Sequence, residues 1–149
     1  AALKKDDFFK QEFPKTTGPE LFNLQYLQKA KQNSNTKSLS VEDTMATLNK
    51  FSTDMIVIAI NNCVKEQSGI NIFVSGGGYH NPLLMLNLQR QLPACSFRST
   101  LETGIDPDAK EAVLFALLAN ECVSGNSSAF GKLSPAIPAV SMGKISFPA

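Results

Sequence analysis

Cysteine is scarce in this chain: Cys63, Cys95 and Cys122 stand far apart, with no C-x-x-C pair among them. An odd number at wide spacing argues against a disulfide framework and a zinc site, and suits a reducing cytoplasm. The expectation is three small buried hydrophobes. Histidine is scarcer, His80 alone. Long apolar runs are missing. Met55 to Ile60 falls far short of the ~20 residues that span a bilayer, and a secretory leader is not expected from the opening residues. Charge of one sign is not in excess: 14 basic against 13 acidic residues leave +1. The lysines scatter as a solvated surface, so neither nucleic acid nor membrane is an expected partner. Repeats at solenoid periods are absent as well.

What is present is a globular composition, 43% hydrophobic and 18% charged over 149 residues, enough for one core. The start, Ala1-Ala2-Leu3 without Met, is expected of a domain cut from something longer, or of processing. Pro14 to Pro19 is loop chemistry. Leu21, Leu24, Tyr26 and Leu27 then predict a helix over 20–32 with Pro19 in its first turn. Ser40 is a candidate cap for a long helix reaching about Lys65, with Met45, Leu48, Phe51, Met55 and Ile58 as its apolar stripe. Ile70 to Ser75 reads as a short buried strand. Asn81-Pro82 opens a further helix that Pro93 stops, and Ala94 to Thr100 is a weaker strand. Asp106 is the expected cap, and Pro107 the first residue, of a helix through Cys122 that packs Ala112, Val113, Phe115, Ala116 and Ala119 inward. From 124 to 149 an irregular tail is expected, with an edge strand near Gly143 to Phe147. Helices alternating with strands predict an α/β fold, a sheet flanked by helices.

The chemistry concentrates in Ser75-Gly76-Gly77-Gly78-Tyr79-His80-Asn81-Pro82, where a strand runs into three glycines and a helix follows. Glycine lets a ligand approach the backbone and permits positive φ. Amides at a helix N-terminus attract phosphate. Ligands of open α/β sheets sit at the carboxyl ends of strands. The segment matches neither the P-loop nor the G-x-G-x-x-G pattern. The alternative is a tight turn without a ligand.

Val74 to Met85 resembles the GGG-x-x-NP-x-L-M signature of anhydro-N-acetylmuramic acid kinases. Pro14-Lys15-Thr16-Thr17-Gly18-Pro19-Glu20-Leu21-Phe22-Asn23 is similar to that family's P-K-S/T-T-G-x-E-x-F-N. Asp43 through Leu48 with Phe51-Ser52 resembles D-x-x-x-T-L-x-x-F-T. Gly104 to Ala116 resembles G-I/V-x-x-x-x-x-E-A-x-A-F-A. The matching segments fall in order and cover most of residues 14 to 119. The tail only partly echoes the family's N-L-P-x-V-T-G-A, through Pro138 to Ser141 and Gly143 to Ile145.

The resemblance implies an actin/hexokinase-like (ribonuclease H-like) ATPase fold, of which residues 1–149 form the C-terminal nucleotide-binding domain. It implies an ATP- and Mg2+-dependent kinase that hydrates and phosphorylates 1,6-anhydro-N-acetylmuramic acid in peptidoglycan recycling. The implied partners are the sugar, ATP, an N-terminal domain and a second copy in a homodimer. The catalytic aspartate and first phosphate loop belong to the family's N-terminal part, so no catalytic residue and no metal ligand is assigned here. The alternative is a non-enzymatic, Hsp70- or actin-like nucleotide-binding domain. Ser75, Gly76, Gly77, Gly78 and Asn81 become the expected nucleotide contacts, although Ser75 and Asn81 also suit burial or capping. Glu111 and Glu102 become candidate sugar contacts, although Glu111 in a helix's first turn also suits the dipole. His80 is expected to be exposed or to flank the nucleotide. For Lys15 and Asn23 the default is holding a helix–loop junction, and for Asp43 and Thr47 it is a cap or surface place.

Overall fold

The computed structural model describes residues 2–64, 69–126, 143 and 146. The expected tail and its edge strand lie almost wholly outside the described residues. The chain divides into two units, the first comprising Ala1–Ile70 with Pro82–Ser96 and the second Asn71–Asn81 with Phe97–Ala149.

The first unit is helical. Two short 3-10 turns, Ala2–Lys4 and Asp7–Lys10, open it. Helix α1 (Leu24–Asn33) starts later than the expected 20. Gly18 takes the amides of both Leu21 and Phe22 at 3.1 Å in tight turns, so helical bonding waits for Asn23. The Asn23 side chain accepts from the Tyr26 amide at 3.0 Å, satisfying one of the donors a helix start leaves orphaned. At the far end Thr36 N–H reaches back to Lys31 O at 2.9 Å, with Asn35 left-handed at φ 54°. Asparagine tolerates that conformation better than most residues.

Helix α2 (Val41–Val64) begins at the expected cap, where Ser40 Oγ accepts from the Asp43 amide at 3.0 Å. Glu42 and Asp43 favour its first turn through the helix dipole. It packs against helix α3 (Pro82–Gln91). Thr53 is fully buried on α2 and returns its hydroxyl to Asn49 O at 2.9 Å. Leu88 on α3, then Leu92 and Cys95, are buried too; each buried leucine contributes about 1.5–3 kcal/mol.

Aromatic rings close the other side of this unit. Phe9 and Phe22 each lie within van der Waals reach of Phe8 and of Phe51 from α2, with Tyr26 on Phe22. These edge-on and tilted pairs have the geometry in which ring quadrupoles attract. Tyr26 Oη donates to Leu3 O at 2.6 Å, fastening the first 3-10 turn to α1. Burial, then the charge of Asp6, raises the Tyr26 phenol above its ordinary range.

The second unit holds most of a two-stranded parallel sheet, β1 (Ile70–Val74) paired with β2 (Cys95–Ser99). Ile70, Ile72 and Val74 are half-buried while Asn71 and Phe73 are exposed. The strand expected to be buried is so only in part: alternation of this kind marks a strand covered on one face. Helix α4 (Lys110–Ser124) completes the unit. Its expected inward-packing residues Ala112, Val113, Phe115, Ala116 and Ala119 are all exposed, a point developed below. The cysteines are free thiols, but only Cys95 is buried; Cys122 is half-buried and Cys63 is exposed, against expectation. Mixed helices and a small parallel sheet agree with the α/β class.

Candidate functional site

The glycine bend begins where β1 ends. Ser75 is half-buried. Gly76 adopts φ 78° and ψ 179°, a conformation essentially reserved for glycine. Its amide donates to Pro107 O at 2.9 Å. Gly76 is therefore committed to protein through its amide, and what it offers a ligand is the absence of a side chain. Gly77 and Gly78 differ. Both are exposed, and among the described residues neither amide has a protein acceptor. A Cβ built on Gly76 or Gly77 meets nothing within 4 Å.

The helix expected to open at Asn81-Pro82 stands at Pro82–Gln91, but it does not follow the glycines at once. A single 3-10 turn, Gly77–His80, comes first, with Tyr79 N–H on Gly76 O at 2.9 Å and Asn81 N–H on Gly78 O at 3.2 Å. Helix α3 opens only at Pro82, directly after the exposed Asn81. The dipole of α3 acts within about one turn of its start, so what the bend itself presents is the amides of Gly77 and Gly78.

The bend is braced by the segment before α4. His80 Nε2 lies 2.8 Å from Asp108 Oδ1, with 55% and 66% of the side chains exposed. Asp106 Oδ1 takes the Asp108 amide at 2.8 Å, and Asp106 O takes that of Ala109 at 3.0 Å. This overturns the expected cap. Asp106 and Pro107 spend their acceptors on a turn and on Gly76, and α4 starts at Lys110 with no side-chain cap. Sequence reasoning missed Pro107 and Asp108 as supports. The Asp-Pro-Asp run was the available signal, since such runs build turns as readily as they start helices.

The candidate sugar contacts are Glu102 and Glu111. Glu102 sits in the 3-10 turn Thr100–Thr103 and pairs with Arg98 Nε at 2.9 Å. Glu111 is exposed in the first turn of α4. At the carboxyl end of β2, Thr100 Oγ1 is buried and has no hydrogen-bond partner among the described residues. Such groups are uncommon, because leaving them unpaired costs about 1–3 kcal/mol.

Lys15 and Asn23 follow the structural default. Lys15 Nζ donates to the carbonyls of Phe8 at 2.9 Å, Phe9 at 3.2 Å and Gln11 at 2.9 Å, and lies about 5 Å from the Phe8 and Phe13 ring centres. Asn23 Nδ2 adds bonds to Pro19 O at 3.1 Å and Glu20 O at 3.2 Å. Asp43 and Thr47 are exposed on α2, and Thr47 Oγ1 returns to Asp43 O at 2.8 Å. A cavity of about 1000 Å³ in the first unit is walled by Phe9, Phe22, Phe51, Met55 and Ile58 and is largely apolar. Its polar lining includes Lys4, Lys15 and Tyr26, which are engaged with Asp54 or main-chain carbonyls of the protein itself.

A β1–α3–β2 crossover whose first strand empties into a glycine bend, with the Gly77 and Gly78 amides unpaired among the described residues, is a portion of an α/β protein. The profile of the anhydro-N-acetylmuramic acid kinase family matches residues 1–148. The chain belongs to that family. It is 53% identical over 148 residues to the anhydro-N-acetylmuramic acid kinase of Pseudoalteromonas atlantica, covering 99% of this chain and 37% of that protein. The Pseudoalteromonas translucida enzyme of the same name is 50% identical over 147 residues, 98% of this chain and 37% of that protein. That of Salinibacter ruber is 34% identical over 149 residues, 99% of this chain and 38% of that protein. The chain thus spans little more than a third of the length of these relatives.

Proposed function

We propose that this chain supplies the nucleotide-binding part of a kinase that uses ATP to convert 1,6-anhydro-N-acetylmuramic acid to N-acetylmuramic acid 6-phosphate. Water opens the anhydro ring and O6 receives the phosphoryl group, a step of peptidoglycan recycling in the cytoplasm. The observation that carries this reading is the glycine bend. Two exposed amides without protein acceptors among the described residues sit beyond the end of a parallel strand, where α/β proteins bind phosphorylated ligands. The names of the relatives supply the substrate.

In this reading Gly77 and Gly78 donate to phosphate oxygens. Gly76 keeps the approach open, and Ser75 and Asn81 flank the ligand. The Gly76–Pro107 and His80–Asp108 contacts hold the bend in shape. Glu111 contacts the sugar; Glu102 does so only by leaving Arg98. Phosphoryl transfer also requires Mg2+ and an activated nucleophile. Among the described residues no group of three His, Cys, Asp or Glu side chains fits a metal ion, so no step is assigned to metal ligands of this chain. The catalytic carboxylate and first phosphate loop belong to the remainder of the polypeptide, and the assembled enzyme pairs as a homodimer.

The test is a graft in which this chain replaces the matching part of the Pseudoalteromonas atlantica enzyme. ATP-dependent phosphorylation of the anhydro sugar is expected from the graft and not from the 149-residue chain alone. A folded graft that neither binds ATP by calorimetry nor turns over the sugar ends the proposal. Turnover by the isolated chain ends the assignment of catalysis to the remainder.

A further inference from the structure

Helix α4 carries nine consecutive uncharged residues, Ala112 to Asn120, eight of them apolar. Its large side chains stand in solvent: Leu114 is 50% exposed, Phe115 66%, Leu117 60% and Val123 74%, with Val113 at 37%. At 100° per residue these positions are not one stripe. Counted from Val113, Leu117 lies at about 40°, Leu114 at about 100°, Phe115 at about 200° and Val123 at about 280° around the axis.

A helix that meets one flat partner is apolar on one side, whereas a helix apolar all round is an interior helix. A second copy of this chain, docking along a stripe, leaves Phe115 or Val123 wet. Enclosure requires more polypeptide, and this chain covers only 37–38% of the length of its relatives.

We infer that α4 is an internal seam: the remainder of the family's polypeptide wraps it and buries Leu114, Phe115, Leu117 and Val123 together. This rests on the family reading only for the identity of the wrapping segment. The occupant is an apolar socket in cis. Because the seam side chains are exposed here, changing them disturbs assembly without disturbing the chain that carries them.

The experiment compares amide hydrogen exchange of α4 in the isolated chain and in the Pseudoalteromonas atlantica graft. Exchange across Ala112 to Asn120 is expected to slow at least about 100-fold in the graft, since exchange tracks local opening. Leu114→Lys with Phe115→Lys is expected to erase that protection. The same pair shifts the Tm of the isolated chain by no more than about 2 °C, as exposed sites do. Equal exchange in chain and graft overturns the inference. So does an isolated chain that scatters light as a dimer with α4 protected and loses both properties in the variant, because the occupant is then a second copy. Kinase activity of the unaltered graft is read separately. An inactive graft with protected α4 sinks the kinase reading and keeps the seam; an active graft with unprotected α4 does the reverse.

Discussion

Substituting alanine at two adjacent glycines separates backbone demand from ligand space. Gly76 sits at φ 78° and ψ 179°, where a Cβ is strained although nothing lies within 4 Å of it. Holding a non-glycine residue there costs on the order of 1–3 kcal/mol. Reduced freedom of the unfolded chain offsets roughly 0.4–1 kcal/mol of that. Gly76→Ala is thus expected to lose about 1–2 kcal/mol. Gly77 has no positive φ and an equally open Cβ direction, so Gly77→Ala is expected to gain a few tenths of a kcal/mol, up to about 1. The gap of about 2 kcal/mol corresponds to a urea midpoint difference near 1 M for a slope of about 2 kcal/mol/M. Circular dichroism through a urea series on the 149-residue chain reads this directly. In the graft, Gly77→Ala is then a stable protein with a methyl group where a phosphate approaches, and its apparent ATP affinity is expected to fall at least about 10-fold. Equal midpoints for the two variants refute the backbone reasoning. An unchanged ATP affinity in stable Gly77→Ala refutes close approach at this bend.

Three further outcomes follow from the same geometry. Lys15→Met keeps the aliphatic stem and removes a cation that satisfies three carbonyls and faces two rings; a loss of about 2–3 kcal/mol by urea unfolding is expected, and a loss under about 0.5 kcal/mol shows that water replaces it. Asp54 is held below the usual carboxylate range by hydrogen bonds from Lys4 first and Lys50 second. A depressed folded pKa gives stability that is present above the unfolded value, about 3.9, and is lost as pH falls through the folded value. Asp54→Asn is therefore expected to cost at most about 1 kcal/mol at neutral pH and to flatten the stability profile below about pH 4, and an unchanged acid limb contradicts it. Thr100→Val removes a buried hydroxyl without a partner and is expected to be neutral or stabilising by up to about 1 kcal/mol; a clear loss in a thermal melt means the hydroxyl is bonded.

Much of the architecture was readable because its determinants are local. Ser40, the apolar spacing after it and the β-branched Ile70 to Val74 each act within a few residues, and α2, β1, α3 and β2 stand close to where the pattern put them. The misplaced boundaries have non-local or competing causes. Asp106 is a good cap in isolation, but its oxygen was claimed by the Asp108 amide and the next carbonyl by Gly76, thirty-one residues earlier in the chain. Asn23 took the start of α1 from Pro19 because the intervening residues close turns on Gly18. At the candidate site the pattern marked the glycines but not which amides remain free, since that depends on Pro107. It marked Glu102 but not Arg98, four residues away. Burial of α4 was anticipated from its apolar residues, whereas Ala112, Val113, Phe115, Ala116 and Ala119 are exposed in this chain, which spans little more than a third of the length of its relatives.

The uneven burial of the thiols makes the protein its own stopwatch. Cys63, exposed near the end of α2, takes up an alkylating dye at once, while Cys95, buried where β2 begins, is shielded. Cys95 also has its amide on Leu92 O at 3.0 Å and its carbonyl on Gln89 Nε2 at 3.0 Å, so its sulfur is reached only when that corner comes apart. The lag between labelling of Cys63 and of Cys95, with the half-buried Cys122 read as a separate site, therefore times the opening of the Gln89–Cys95 corner, with no mutation and no added probe site.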